Sequence, residues 1–374
     1  MSDGYDDGVI RATILLALAG CWLRVSSAAD EKPVFPGQDW ERITKPGAVE
    51  FSSAKLEVLQ AWLKTQQTTA MMVVVGGRVL FQYGDVKYVS LLASARKSVL
   101  GMLYGKYVVN GTINLAKTVK ELGLDDVQKF LPVEEKARLE WLLMSRSGIY
   151  HPDSGDTDPR GLCPVRGSQF PGDFYCYNNW DFNAAGTAFE KLTGKNIYDA
   201  LESDLARPIG MQDFDRAAQK KDPMTPYSVH PIYHMYLSTR DMARLGLLML
   251  RNGNWNGKEI IDPNWVKYMT TLVTPVSDLF PRNVHEEAYG VNWRWGYGAM
   301  WWVWDQPQLP RDMNNGPMYG AYTAMGMGGQ YITVMPVMDM VVVHKVDPAK
   351  RVSNQEYYTM LQMLFASYCG GECR

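Results

Sequence analysis

Strand patterns stand near both ends of this chain and helical patterns fill its middle, an order that limits the folds open to it. Residues 69–85, TAMMVVVGGRVLFQYGD, hold two β-branched runs joined by Gly76-Gly77, which is the signal of a β-hairpin. Strand character returns at WGYGAMWWVW (295–304) and at QYITVMPVMDMVVVHKV (330–346), where Pro336 to Asp339 turns a second hairpin. From about 115 to 280 the patterns are mostly helical, separated by long loops. The expected class is therefore α/β (α+β). The two ends build one lobe around an antiparallel sheet, residues about 37–115 and 285–374, and the middle, about 116–284, is an inserted helical lobe. FSSAKLEVLQAWLKTQ (51–66) reads as a helix with Ser52 as its N-cap. Ser353-Asn354-Gln355-Glu356 reads as a capping box for a closing helix. A cleft between the two lobes is a favoured place for a ligand.

The 374 residues carry a formal net charge of -2 with no basic stripe, which excludes nucleic acid as the expected partner. The apolar segment ATILLALAGCWL after Arg11 is too short to span a bilayer and reads as the core of an export signal over residues 1–29. Two processing routes fit it: cleavage after Ser27-Ala28-Ala29, or a lipobox at Leu18-Ala19-Gly20-Cys21 that would lipidate Cys21 and give the only expected membrane attachment. The catalytic domain would then cover 30–374, in the periplasm or secreted. In an oxidising compartment Cys163 and Cys176, and Cys369 and Cys373, are candidate disulfides, the first pair spanning the better loop.

Ser94-Ala95-Arg96-Lys97 places a hydroxyl and an amine on one helix face, close enough for the amine to take a proton from the serine. The spacing alone is weak, because Ser52-Ser53-Ala54-Lys55 repeats it in an amphipathic helix. Ser94, by contrast, opens SARKSVLGMLYGKYVV, an apolar helix with small residues that should be buried on nearly every side. A lysine there needs a reason. Other constellations are weaker. His230 and His234 have metal-like spacing but flank Pro231. Asp153, Asp156 and Asp158 read as a solvated acidic loop. No Gly-x-Ser-x-Gly elbow is present. No metal and no cofactor are expected.

Three elements follow in order: Ser94 with Lys97, Tyr177-Asn178-Asn179, and Gly326-Met327-Gly328-Gly329-Gln330. In this order they resemble the motifs of the penicillin-recognising serine hydrolases, which include class C β-lactamases, D-Ala-D-Ala peptidases and related esterases. WLLMSRSGI (141–149), LARPIGM (205–211) and LSTRDMARLGLLMLRNGNWNGKEII (237–261) extend the resemblance over about 55 to 350. YNNWDFN and GMGGQYITVMP are most similar to the esterase and 6-aminohexanoate-oligomer hydrolase branch.

The resemblance implies a β-lactamase/transpeptidase-like fold and an acyl-enzyme on Ser94. Lys97 and Tyr177 would act as the base pair, and Asn179 would bind near Lys97 and the substrate carbonyl. An oxyanion hole would be formed by backbone N–H groups of Ser94 and of the residue past Gly328 and Gly329, Gln330. Met327 stands where antibiotic-recognising members carry Lys or His, so a neutral ester or amide is the expected small-molecule substrate. A peptidase or β-lactamase is the alternative, and a silent binding or sensor protein on the same fold is the alternative of another class.

Overall fold

The computed structural model describes residues 33–155, 163–279, 293–305, 316–371 and 373. The export segment with Cys21 and Ser27–Ala29 lies outside them, as do Asp156 and Asp158. In chain order the helices are α1 Ser53–Leu63, α2 Ala95–Val109, α3 Leu139–Leu143, α4 Asn179–Thr193, α5 Ile197–Ala200, α6 Thr239–Leu250, α7 Pro263–Met269 and α8 Asn354–Ser367. The long strands are β1 Ala70–Val75 and β2 Arg78–Gly84, then β9 Trp295–Tyr297, β10 Trp302–Trp304, β11 Tyr322–Gly326, β12 Gln330–Met335 and β13 Met340–Lys345. Three short ribbons lie between: β3 Ser90–Leu91 with β6 Tyr236–Leu237, β4 Lys220–Lys221 with β5 Tyr233–His234, and β7 Asn254–Trp255 with β8 Lys258–Glu259.

The seven long strands form one antiparallel sheet in the order β2-β1-β13-β12-β11-β10-β9. Gly76 and Gly77 turn the first hairpin with φ of 59° and 83°, the left-handed pair that a two-residue hairpin loop needs. Tight contact adds a second demand at Gly77, where a Cβ would stand 2.0 Å from Val34 O. Pro336–Met338 and Asp339 turn the second hairpin, as the sequence implies. The expected strand 295–304 is itself a hairpin, β9 and β10, closed by Gly298 N–H donating to Trp301 O at 2.8 Å.

Both faces of the sheet are covered. A Cβ at Gly246 of α6 would lie 2.4 Å from Val341 Cγ1 and 3.0 Å from Ile332 Cγ2, so α6 presses on that face. The preceding residue, Tyr331, points the other way and stacks on Tyr357 of α8, with ring centroids 3.8 Å apart. Double coverage is why β1 and β13 read as unbroken apolar runs rather than alternating ones. The helix α6, which falls within the 116–284 stretch, packs on the sheet. Its apolar face is marked in the sequence, whereas the surface that face meets is not. Residues Val34–Arg374 form one compact unit. Disulfides join Cys163 to Cys176 and Cys369 to Cys373.

Candidate active site

The β3–β6 ribbon delivers the chain to Ser94. Buried Lys345, at the end of β13, donates to Ser90 O at 2.7 Å and Leu237 O at 2.9 Å, tying both strands of the ribbon to the sheet. Burial lowers its pKa to about 7. Leu92 N–H then donates to Met235 O, Ala93 takes a left-handed φ of 47°, and Ser94 turns into α2. Ser94 makes no capping bond with its side chain, so its hydroxyl is left for other partners. Nearly every residue from Ala95 to Tyr107 is buried, including Lys97, which is 1% exposed.

The Lys97 ammonium reaches three groups. It lies 3.1 Å from Ser94 Oγ, 2.6 Å from Tyr177 OH and 2.7 Å from Asn179 Oδ1. The Phe182 ring packs 4.5 Å below it. Burial first, and the Arg96 charge second, hold its pKa well below that of an ordinary lysine, with Asp153 acting in the opposite sense. An amine in that state gives up its proton more readily than an exposed lysine does.

Tyr177 and Asn179 are set by the start of α4. Asn178 caps the helix by accepting from Trp180 N–H, and its amide donates to Ile149 O at 2.7 Å. Ser145, at a left-handed φ of 55°, accepts from Asn178 N–H and donates to Cys176 O at 2.9 Å. The Cys163–Cys176 disulfide ends one residue before Tyr177. Below, buried Ser147 donates to Asp181 Oδ1 at 2.5 Å, and burial pushes the Asp181 carboxyl far above its usual range. Tyr177 itself stacks on Trp302, with centroids 5.6 Å apart and planes 24° apart. Rigid packing and backbone bonds therefore hold both partners of Lys97.

The third wall is the end of β11. β10 pairs with it only at Tyr322 and Thr323, which leaves the edge at Met325, Gly326 and Met327 free to line a cavity of about 580 Å³. That cavity opens on Ser94, Tyr177 and Asn179. A Cβ at Gly326 would sit 2.2 Å from Leu92 O and 3.1 Å from Ala95 N; only glycine lets the strand approach the Ser94 turn this closely.

The family model for Beta-lactamase matches residues 60–354. The chain belongs to the beta-lactamase family. Among solved structures, a beta-lactamase from Mycobacterium bovis superposes with a TM-score of 0.58 at 18% identity, over 84% of this chain and 99% of its own. A proposed 6-aminohexanoate-dimer hydrolase from Bacillus anthracis gives a TM-score of 0.56 at 20% identity, over 82% of this chain and 80% of its own. These likenesses show the beta-lactamase fold. An uncharacterised protein from Alkalihalophilus pseudofirmus is 27% identical over 110 residues, which is 29% of this chain and 29% of that relative's length.

The fold brings Ser94, Lys97, Tyr177, Asn179 and Gly328 to one cavity. It does not bring Gly329 or Gln330 to the wall. Gly329 is enclosed by Val346 and Val352, and the buried Gln330 side chain donates to Val346 O at 2.9 Å. Met327 is at the rim, 70% exposed. Sequence reasoning missed Ser145 and Arg351, the second of which lines the cavity from the segment before α8. No local pattern marks either of them, since each reaches the site through tertiary placement. His230 and His234 go to separate partners, Thr187 and Asp222. Among the described residues no group of three or more His, Cys, Asp or Glu could hold a metal.

Proposed function

We propose that this beta-lactamase-family chain hydrolyses an ester or amide bond of a small molecule through an acyl-enzyme on Ser94. The observation that carries this reading is the buried Lys97 amine, within hydrogen-bond reach of both Ser94 Oγ and Tyr177 OH. In acylation Ser94 Oγ forms a bond to the substrate carbonyl carbon and its proton passes to Lys97 Nζ. Lys97 returns a proton through Tyr177 to the departing alcohol or amine as the scissile bond breaks. Water then attacks the acyl group. Its proton follows the same pair back to Ser94, and the acid leaves.

Two backbone N–H groups would hold the carbonyl oxygen. Ser94 supplies one. Gly326 O accepts from Gly329 N–H across the turn, so the N–H of Met327, the next residue, points to the opposite edge of the strand, toward the cavity. Met327 therefore replaces Gln330 as the second donor. The exposed, uncharged thioether of Met327 at the rim supports a neutral acyl group. The two disulfides support an exported, oxidising setting.

Arg351 in the cavity wall favours a second reading, a carboxylate-bearing substrate such as a β-lactam or a D-Ala-D-Ala peptide. Intact mass after mixing with p-nitrophenyl butyrate and, separately, penicillin G separates the two. Ester turnover without a lasting penicillin adduct is the expected result. A stable penicillin adduct on Ser94 supports the second reading, and inertness to both reagents counts against hydrolysis and for a binding role.

A further inference from the structure

The turn that carries the second oxyanion donor has little of its own to hold it. Between β11 and β12 run Met327, Gly328 and Gly329, and the two glycines take left-handed φ of 84° and 108°. Glycine gives such a turn its shape and also leaves it free to take others. Its closing bond, from Gly329 N–H to Gly326 O, is 3.3 Å long. Gly326 O and Met327 N–H belong to one planar trans peptide, so whatever aims the first aims the second in the opposite direction.

Two outside contacts grip this turn. Gly328 O accepts from Val352 N–H at 3.1 Å, and Gly329 O accepts from His344 Nδ1–H at 2.6 Å. The second comes from a side chain. His344 is wholly buried on β13, in register between Met71 of β1 and Tyr331 of β12. Burial pushes its pKa down to about 4, so at neutral pH the ring is uncharged and carries a single N–H. A carbonyl can only accept, which puts that proton on Nδ1. Nε2 then holds the lone pair and accepts from Thr68 Oγ1–H at 2.9 Å. The imidazole thus spans the starts of both strands that flank β13, with Thr68 ahead of β1 and Gly329 ahead of β12. The fit is close: a Cβ at Gly329 would stand 3.4 Å from His344 Cε1 and 2.7 Å from Val346 Cγ2. The residues before His344 on β13 are Met340 and three valines. Packing alone would be served by another apolar residue here, whereas the Gly329 carbonyl needs a donor.

We propose that His344 is a positioning residue for the oxyanion hole: its Nδ1–H fixes the Gly329 carbonyl, which holds the Gly328-Gly329 turn in the shape that aims Met327 N–H into the cavity. This rests on the acyl-enzyme reading with Met327 as second donor, and adds what keeps that donor in place. His344 does not line the cavity, so it acts through the backbone of the turn.

The test is steady-state hydrolysis of p-nitrophenyl butyrate by wild type, His344→Leu, His344→Gln and His344→Asn. Leucine removes both ring nitrogens. Glutamine sets its amide nitrogen at the place of Nε2, and asparagine sets its own at the place of Nδ1. Acylation and deacylation both pass through an oxyanion, so a misaimed Met327 N–H slows both and spares KM. His344→Leu and His344→Gln should lose about tenfold or more in kcat with KM within about twofold of wild type, and His344→Asn should regain most of that loss. In wild type, ring-nitrogen NMR should place the His344 proton on Nδ1, a reading that needs no variant to fold. Wild-type kcat in folded His344→Leu or His344→Gln, a loss that folded His344→Asn does not restore, or a ring proton on Nε2 overturns the proposal and leaves the acyl-enzyme reading standing. A wild type that neither turns over the ester nor takes up a fluorophosphonate on Ser94 overturns both.

Discussion

At the start of α1, Ser52 caps its helix: Oγ accepts from Lys55 N–H at 3.4 Å, and the Lys55 side chain is exposed. At the start of α2, Ser94 makes no capping bond and instead accepts from the Lys97 ammonium at 3.1 Å, with that lysine almost wholly enclosed. The two turns share residue types and spacing. They differ in what surrounds them. Around Lys97 the sheet, α4 and the β3–β6 ribbon remove water and supply Tyr177 and Asn179. Spacing alone therefore sets reach, while burial sets chemistry: a lysine in water keeps its proton, and one stripped of water gives it up.

The comparison can be broken most severely at Ser94, the proposed nucleophile. Ser94→Ala should lower ester hydrolysis by about a thousandfold or more, whereas Ser52→Ala leaves the rate unchanged, read as initial rates on p-nitrophenyl butyrate. Next comes Lys97, the proposed base. Lys97→Met should slow acylation by roughly 10²–10⁴-fold, measured as probe labelling, and Lys55→Met should not. Tyr177→Phe keeps the stacking on Trp302 and removes only the hydroxyl. It should cost about 10²-fold in kcat, seen in steady-state kinetics.

The pH dependence sharpens the contrast further. The proposed mechanism needs Lys97 unprotonated. Because burial and Arg96 lower its pKa, activity should rise with pH through that lowered value and be established well below the titration of an ordinary lysine, which a kcat/KM–pH profile would show. The smallest effect is structural. Ser52→Ala should destabilise the fold by about 1 kcal/mol through the lost cap, visible in denaturant unfolding.

Much of this is legible in the sequence. The Gly76-Gly77 hairpin, the Pro336–Asp339 turn and the Ser353–Glu356 capping box carry their geometry in local residue chemistry, and each is present. The buried setting of Lys97 was legible because the α2 sequence is apolar on every face. The direction of a backbone N–H was not. Whether Met327 or Gln330 faces the cavity depends on the three-residue turn and on where β10 stops pairing with β11, which is a matter of register. β11 itself, YTAMG, has too few β-branched residues to announce a strand. The placement of α6 against the sheet and of Arg351 in the cavity wall are long-range facts with no local signature.

The most direct test of the central claim compares the two serines in one experiment. Wild type, Ser52→Ala and Ser94→Ala are mixed with a fluorophosphonate probe, and intact mass is followed by peptide mapping. The account predicts one adduct, on Ser94, in wild type and Ser52→Ala, and none in Ser94→Ala. An adduct that persists in Ser94→Ala, or an unlabelled wild type, would contradict it.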